Sequence, residues 1–184
     1  ERDVGDGARE TALLMRGDVE RLERVAHRFE RIGRPPRREP VDVGALVTNV
    51  AAYFRARVPT LARAVRIETS PIEQPVIIAG DAVLLEWALE ALVKNAIDAL
   101  GGRGGTIRLS AEPLEDGARV RVSDDGPGIP RELRSRIFDA GYTTKKGGWG
   151  IGLPLARRIV EEWHGGTLRV VPADGGATFE IIFS

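Results

Sequence analysis

The residues of this sequence best suited to binding a phosphorylated ligand lie between 124 and 153. This stretch opens with two aspartates and a Gly-Pro-Gly turn, and it closes with glycines at alternate positions, Gly148, Gly150 and Gly152. Glycine lets a backbone approach an anion closely and adopt positive φ at little steric cost. A glycine loop that leads into a helix also points free N–H groups outward, which suits a phosphate. We therefore predict a nucleotide site whose cover is formed by residues 139–150.

The second candidate is Asn95, which lies inside the apolar helical pattern LVKNAIDAL. Asparagine lowers helix propensity and competes for backbone hydrogen bonds, so its place within a helix needs a reason. Lys94 and Asp98 lie along the same flank. An amide oxygen is a neutral ligand that suits Mg²⁺ already held by phosphates. The alternative is a solvated flank with one unfavourable asparagine, and the residues alone leave both interpretations open.

The third candidate is Asp124, which ends an apolar strand pattern and begins the Gly-Pro-Gly turn. Aspartate commonly begins turns, so a structural role is one interpretation. The functional interpretation is that a carboxylate fixed at a strand end accepts a hydrogen bond from the exocyclic amine of a base. The glycines at 148–152 do not form the dinucleotide-binding fingerprint, because Leu153 stands where that pattern needs glycine.

The composition of the chain limits its partners. Its 184 residues are 42% hydrophobic and 29% charged, with 27 basic residues, 27 acidic residues and no cysteine. This balance is typical of a globular domain and gives no overall field towards nucleic acid or a membrane. The lack of cysteine excludes disulfides and a cysteine-ligated zinc site, and no apolar run approaches the ~18–20 residues that span a bilayer. Because the sequence begins at Glu1, we expect a cytoplasmic fragment of a longer protein, whether or not the parent is anchored in a membrane.

Residues 13–32 have apolar positions spaced by four and three, which is the pattern of an amphipathic helix. A lone helix of this length is marginal in water, so its apolar stripe needs a partner. We interpret it as part of a coiled coil or helical bundle, and packing on its own domain is the alternative. The prolines that follow end the helix. We place a domain boundary there, between residues 1–37 and 38–184.

Residues 38–184 predict alternating helices and strands. Asp81 is suited to cap the most regular helix, and the run over 76–79 is nearly all apolar, so we expect a central strand there. The order of elements predicts an α/β (α+β) two-layer sandwich, with a mixed, mostly antiparallel sheet and helices on one face. We expect helices over 43–58, 81–100 and 151–163, and strands over 65–68, 76–79, 106–112, 118–124, 167–171 and 178–183. The strands over 106–112 and 118–124 should form an antiparallel pair, and those over 167–171 and 178–183 a closing hairpin. In the helix over 81–100, the residues expected to face the core are Leu84, Leu85, Ala88, Leu92, Ala96 and either Ala99 or Leu100.

These motifs occur in an order that is far more specific than any one of them. LVKNAIDAL resembles the N box, DDGPGI the first glycine box, RIFDAGYTTKK the F box and lid, and GWGIGL the second glycine box of the Bergerat-type ATP-binding fold. Histidine kinases, DNA gyrase, mismatch-repair ATPases and heat-shock chaperones share that fold. Within this superfamily, residues 38–184 are most similar to the catalytic ATP-binding domain of a bacterial two-component sensor histidine kinase. Residues 13–32 resemble the second helix of the kinase dimerisation domain.

The resemblance implies that the domain binds ATP or ADP with Mg²⁺. It implies that Asn95 ligates Mg²⁺ and that Asp124 binds the adenine amino group. It also implies that Lys145 contacts a phosphate, that Thr178 supports the adenine pocket and that Phe138 anchors the near end of the lid. The implied ATP-binding residues are Asn95, Lys94, Asp98, Asp124, Gly126, Gly128, Ile129, Phe138, Thr143, Thr144, Lys145, Gly148, Gly150, Ile151, Gly152, Leu153 and Thr178.

The activity that the resemblance implies is transfer of the γ-phosphoryl group of ATP to a histidine of the dimerisation domain. The receiver domain of a response regulator would then take the phosphoryl group. Neither His27 nor His164 lies in a pattern similar to the kinase phosphoacceptor, so we expect the acceptor upstream of residue 1 and no autophosphorylation by this chain alone. We expect a homodimer through the N-terminal helix, and no nucleic acid partner.

One departure from the family pattern lies one helical turn before Asn95. Hydrolysing relatives have a glutamate at that position and many kinases have a second asparagine, whereas this sequence has Ala91. An alanine cannot polarise water, so we expect slow ATP hydrolysis. The alternatives that we keep are a serine kinase of the anti-sigma type and a nucleotide-binding pseudo-kinase that acts as a scaffold.

Overall fold

A computed structural model describes residues 35–61, 64–144, 150–173 and 175–184. The chain divides into two compact units, Glu1–Pro36 and Arg37–Ser184, and the elements below belong to the second. The helix predicted over residues 13–32 lies outside the described residues. Within the described ranges, no helix has both the length and the apolar character needed to cross a membrane. In chain order the elements are β1 (Glu39–Asp42), α1 (Val43–Leu61), β2 (Val65–Thr69), β3 (Ile77–Gly80), α2 (Ala82–Leu100), β4 (Gly105–Leu114), β5 (Gly117–Asp124), α3 (Gly152–Arg158), β6 (Thr167–Val171) and β7 (Ala177–Phe183).

The main sheet has five strands in the order β2-β4-β5-β7-β6. The pairs β4–β5, β5–β7 and β6–β7 are antiparallel, whereas β2 and β4 are parallel. The predicted antiparallel pair β4–β5 and the closing hairpin β6–β7 are thus confirmed. Alternation along the strands gives the sheet one buried side, and α1 and α2 pack against its strands.

The opposite side of the sheet holds one buried carboxylate. Glu180 on β7 is 2% exposed, and its oxygens accept hydrogen bonds from Arg121 Nε at 2.9 Å and Arg169 Nη2 at 2.6 Å. Burial disfavours the ionised form, but the hydrogen bonds from Arg169 and Arg121 outweigh it and hold the pKa of Glu180 below its usual value. This ion cluster joins three neighbouring strands, since the two arginines lie on β5 and β6.

The helix α2 has the caps that its sequence predicts. Asp81 has an extended backbone, and its Oδ1 accepts a hydrogen bond from Leu84 N at 3.4 Å. Gly101 ends the helix in the left-handed conformation that glycine adopts readily. The residues predicted to face the core are buried, namely Leu84, Leu85, Ala88, Leu92, Ala96 and Leu100.

The strand predicted over residues 76–79 is β3, but the prediction that it is central is wrong. β3 pairs only with β1, in a separate two-stranded antiparallel sheet, and β1 is not among the predicted strands. The apolar run suggested burial of both faces. In the structure Ile78 is buried, whereas Ile77 is 53% exposed, so only one face of β3 contacts the core.

The helix predicted over 151–163 consists of α3 and a π-helical turn, Ile159–Trp163. Pro154 lies in the first turn of α3, where its missing N–H leaves no helical hydrogen bond unmade. The π turn leads to His164, whose Nδ1 lies 2.7 Å from Ile159 O and whose Nε2 lies 2.9 Å from Asp81 N. The end of this helix is therefore bonded to the start of α2.

Candidate functional site

Asp124 lies at the end of β5 on the buried side of the sheet and is 5% exposed. Its Oδ1 accepts a hydrogen bond from Gly126 N at 2.9 Å, and its carboxylate also accepts one from the backbone N–H of Ala177. Burial raises the pKa of Asp124, and these backbone hydrogen bonds offset the effect only in part. A carboxylate has about four acceptor sites, so Asp124 has capacity left for a donor from a ligand.

Glycines surround this carboxylate because side chains would not fit. A Cβ built on Gly126 would lie 2.7 Å from Asp124 Oδ1, and one on Gly128, which has φ +75°, would lie 2.8 Å from Gly176 O. Gly176 has φ +67°, and its Cβ would overlap the backbone oxygen of Asp124. The turn after β5 therefore packs directly, backbone against backbone, on the loop before β7.

Thr178 lies on the other side of the sheet from Asp124. Asp124 pairs with Ala177, and Ser123 pairs with Thr178. Successive residues of a strand point to opposite faces, and Thr178 Oγ1 donates to Ser123 Oγ at 3.0 Å. The structure thus corrects the role predicted for Thr178, because Ala177 is the β7 residue beside Asp124.

Asn95 is half-buried on α2, and its predicted neighbours Lys94 and Asp98 are more exposed. Lys94 Nζ lies 3.3 Å from Asp98 Oδ2, so these two side chains form an ion pair with each other. Ala91 lies one helical turn before Asn95. A Cβ built on Gly152, the first residue of α3, would lie 4.0 Å from the Cβ of Ala91. The flank of α2 that carries Asn95 is therefore adjacent to the start of α3.

The segment predicted to cover the site, 139–150, has a backbone hydrogen bond between its two ends. Gly141 N donates to Gly150 O at 3.0 Å, which joins the two ends of the segment. Phe138, just before it, is buried and packs edge to face on Phe179 of β7, with ring centroids 6.2 Å apart. The position of Phe138 agrees with the anchoring role that the resemblance implies.

The other predicted residues differ in their exposure. Ile129 and Leu153 are half-buried against the core, whereas Thr143, Thr144 and Ile151 are exposed. Lys145 and Gly148 lie outside the described residues. Over the described ranges, no group of three or more histidine, aspartate or glutamate side chains could hold a metal ion.

The two halves of the site lie along one helix. Near the end of α2, a Cβ built on Gly126 would lie 3.6 Å from Leu100 Cδ2, whereas Ala91 lies beside Gly152. Nine residues of α-helix separate Leu100 from Ala91, a rise of about 13 Å. A ligand with a base near Asp124 and phosphates near Gly152 would therefore run along α2 and pass Asn95.

Two residues of the site escape the sequence reasoning. Ala177 acts through its backbone N–H, and the register of β7 could have identified it, because alternation along ATFEIIF turns its first residue inward with Phe179 and Ile181. Asp125 accepts a hydrogen bond from Thr106 N at 2.8 Å. That contact joins two distant parts of the chain, and no local pattern indicates it.

A model of the family described as histidine kinase-, DNA gyrase B-, and HSP90-like ATPase matches residues 80–184. The matched range contains the turn after β5, the flank of α2 with Asn95 and the start of α3. It therefore includes both halves of the site.

Two curated proteins match nearly the whole chain. The chain is 29% identical to the C4-dicarboxylate transport sensor protein DctB of Rhizobium meliloti (strain 1021), over 98% of this chain and 31% of that protein. It is 33% identical to the sensor histidine kinase ZraS of Klebsiella oxytoca, over 97% of this chain and 39% of that protein. The chain thus spans well under half the length of these relatives.

Solved structures match the fold. The catalytic domain of histidine kinase ThkA superimposes with a TM-score of 0.72 at 28% identity, over 79% of this chain and 94% of that chain. ThkA in complex with the response regulator protein TrrA superimposes with a TM-score of 0.70 at 24% identity, over 92% of this chain and 49% of that chain. The predicted α/β sandwich is confirmed.

Proposed function

Because this chain belongs to the histidine kinase-, DNA gyrase B-, and HSP90-like ATPase family, we propose that it binds ATP with Mg²⁺ and presents the γ-phosphoryl group to a histidine on a separate helix. It is an ATP-binding catalytic domain of the sensor histidine kinase type. The observation that carries the proposal is the buried carboxylate of Asp124 at one end of α2, with Gly152, the first residue of α3, beside an earlier turn of the same helix.

Asp124 suits recognition of adenine. The exocyclic amine of adenine is a hydrogen-bond donor, whereas guanine has an acceptor oxygen at the equivalent position. A carboxylate accepts from the amine and repels the oxygen. Because Asp124 is buried, guanine would leave its remaining acceptor positions facing an acceptor oxygen and out of water, which makes the discrimination large.

The start of α3 suits the phosphates. Gly150 precedes α3 and Gly152 is its first residue. The backbone N–H groups of the first turn have no partner within the helix, and the glycines let a ligand approach closely. The amide oxygen of Asn95 would hold Mg²⁺ together with phosphate oxygens and waters, which are the hard ligands that this ion prefers. Bound there, Mg²⁺ supplies charge neutralisation to the phosphates.

The contribution of the protein to phosphoryl transfer is positioning and charge. Asp124 and the glycine turn would fix the base, and the start of α3 would fix the phosphates. Lys145 would add positive charge beside them, and residues 139–150 would exclude water. With Ala91 in place of a group that activates water, the γ-phosphoryl group would be kept for an incoming histidine.

We extend the proposal to the parent protein. Its dimerisation domain would supply the acceptor histidine, and residues 13–32 would form a homodimer as part of that domain. A response regulator would then receive the phosphoryl group, and the complex of ThkA with TrrA supports that choice of partner. The catalytic domain would work in the cytoplasm, where ATP is present.

Calorimetric titration of the chain with ATP and ADP, with and without Mg²⁺, tests nucleotide binding. Asp124→Ala is expected to weaken binding by about tenfold or more, because it removes a hydrogen bond to a charged acceptor. Asp116→Ala is the matched control: it removes an exposed aspartate in the turn between β4 and β5 and is expected to bind as the parent chain does. Failure of the unsubstituted chain to bind either nucleotide would refute the proposal.

The acceptor is tested separately with a longer form of the parent that includes its dimerisation domain. We expect phosphate label that is lost in acid and stable in base, as for phosphohistidine. Label that survives acid would favour a serine kinase and contradict the proposed acceptor.

A further inference from the structure

Asp125, the second aspartate of the DDGPG turn, is bonded twice to a single residue of β4. Its Oδ1 accepts a hydrogen bond from Thr106 N at 2.8 Å, and its own N donates to Thr106 O at 3.3 Å. Thr106 is only 4% exposed. The last register pair of β4 and β5 is Ile107 with Asp124, so Asp125 extends this ladder by one residue into the turn.

A glycine makes room for the Asp125 carboxylate. A Cβ built on Gly105 would overlap Asp125 Oδ1 and would lie 2.7 Å from Leu100 Cδ2. Any side chain at residue 105 would therefore displace either the carboxylate or the last residue of α2. Since Leu100 also lies beside Gly126, the carboxylate is held where the turn, β4 and the end of α2 meet.

The two hydrogen bonds of Asp125 hold the turn that contains Asp124 against β4, next to the end of α2. Asp124 leads into the turn that Asp125 holds, and Asn95 belongs to the helix whose last residue, Leu100, lies beside Gly105 and Gly126. An exposed aspartate in a turn is ordinarily replaceable at little cost. Asp125 is exposed on its outer side, but the bond to a buried backbone N–H makes it different, because that N–H has to find water or stay unpaired when the acceptor is removed.

We propose that Asp125 is a positioning residue for nucleotide binding, which holds Asp124 at the correct distance from α2 without touching the ligand. The proposal rests on the proposed function, since it assumes that adenine binds at Asp124. It predicts that the hydrogen-bond acceptor at residue 125 matters and that its negative charge does not.

ADP titration in the presence of Mg²⁺ tests this, with thermal unfolding measured on the same samples. Asp125→Ala removes the acceptor and is expected to raise the Kd for ADP about five- to tenfold. Asp125→Asn keeps an acceptor oxygen and is expected to restore the Kd to near that of the parent chain. Asp42→Ala is the structural control. Asp42 Oδ1 accepts hydrogen bonds from Gly44 N and Ala45 N at the start of α1 and from Val76 N, just before β3.

The Asp42→Ala chain is expected to lose thermal stability and to keep its affinity for ADP. If Asp125→Ala binds ADP as the parent chain does, or if Asp42→Ala weakens binding equally, the positioning role is refuted while the proposed function stands. If Asp125→Asn is as weak as Asp125→Ala, the charge rather than the acceptor matters and the proposal fails. If the parent chain does not bind ADP, the proposed function and the positioning role fail together.

Discussion

His164 joins the end of α3 to the start of α2, and protonation of its ring should weaken the fold. Its Nε2 lies 2.9 Å from Asp81 N, and its Nδ1 lies 2.7 Å from Ile159 O. A backbone N–H can only donate, so Nε2 must carry a lone pair, and Nδ1 must carry the proton that Ile159 O accepts. The ring is therefore neutral and in the Nδ1–H tautomer.

Burial lowers the pKa of His164 below its ordinary value of 6.5; the bond to Ile159 and the charge of Asp81 oppose this shift, and Arg38 adds to it. The unfolded chain then binds more protons than the folded chain at acid pH. The stability conferred by the neutral ring is complete above pH 6.5 and is lost as the pH falls through the pKa of the folded state. One titrating site changes the free energy of unfolding by at most about 1.4 kcal/mol per pH unit.

Urea denaturation between about pH 7.5 and pH 5.5 measures the effect. The sequence has two histidines, so in a His27→Gln background His164 is the only histidine that titrates, and the other titrating groups are common to both chains compared. We expect the free energy of unfolding of the His27→Gln chain to fall more steeply with decreasing pH than that of the His27→Gln/His164→Gln chain. The difference between the two slopes should reach up to about 1.4 kcal/mol per pH unit.

Two results would refute this reasoning. Parallel pH profiles of the two chains would mean that His164 has the same pKa in the folded and unfolded states. A ring ¹⁵N spectrum with the proton on Nε2 would mean that the bond from Asp81 N is absent in solution.

Further substitutions test other contacts. Glu180→Gln removes the charge that pairs with Arg119, Arg121 and Arg169, and we expect a loss of about 1.5–3 kcal/mol in the free energy of unfolding, measured with urea. Gly176→Ala would force a Cβ into the backbone oxygen of Asp124, so ADP binding should be lost. Gly175→Ala is its control, because the added Cβ would meet nothing within 4 Å; its affinity for ADP in the same titration should be higher than that of Gly176→Ala. Asp81→Ala removes the cap of α2 and should lower stability by about 1–2 kcal/mol in thermal or urea unfolding.

Much of the fold is predictable from the sequence because its elements have strong local signals. The cap at Asp81 and the apolar face after it predict α2, and period-two alternation predicts the β4–β5 pair. β1 and β3 are different, since a short apolar run does not say whether one face or two are covered. Ile77 is exposed because only one face of β3 contacts the core, and the pairing of β3 with β1 joins residues nearly forty positions apart in the chain.

Site residues that act through their side chains can be predicted from the sequence, whereas residues that act through their backbone cannot. Asp124 and Asn95 carry chemistry that suits their predicted roles, and the structure places Asp124 at the strand end and Asn95 on the helix expected for it. Ala177 contributes a backbone N–H, which any residue could supply, so its type gives no signal. Thr178 has a suggestive hydroxyl, but strand register decides which face it reaches, and register requires the partner strand to be known.

In the proposed site, the burial of Asp124 would link nucleotide binding to stability. Its raised pKa means that the fold holds a carboxylate where the ionised form is disfavoured, and the backbone donors of Gly126 and Ala177 compensate only in part. A ligand amine that donates to this carboxylate would supply what the protein lacks. A ligand without a donor there would leave the remaining acceptor positions of this buried carboxylate unfilled. In the proposed site, selectivity for adenine and the stability that bound nucleotide would add to the folded chain would thus have one physical origin.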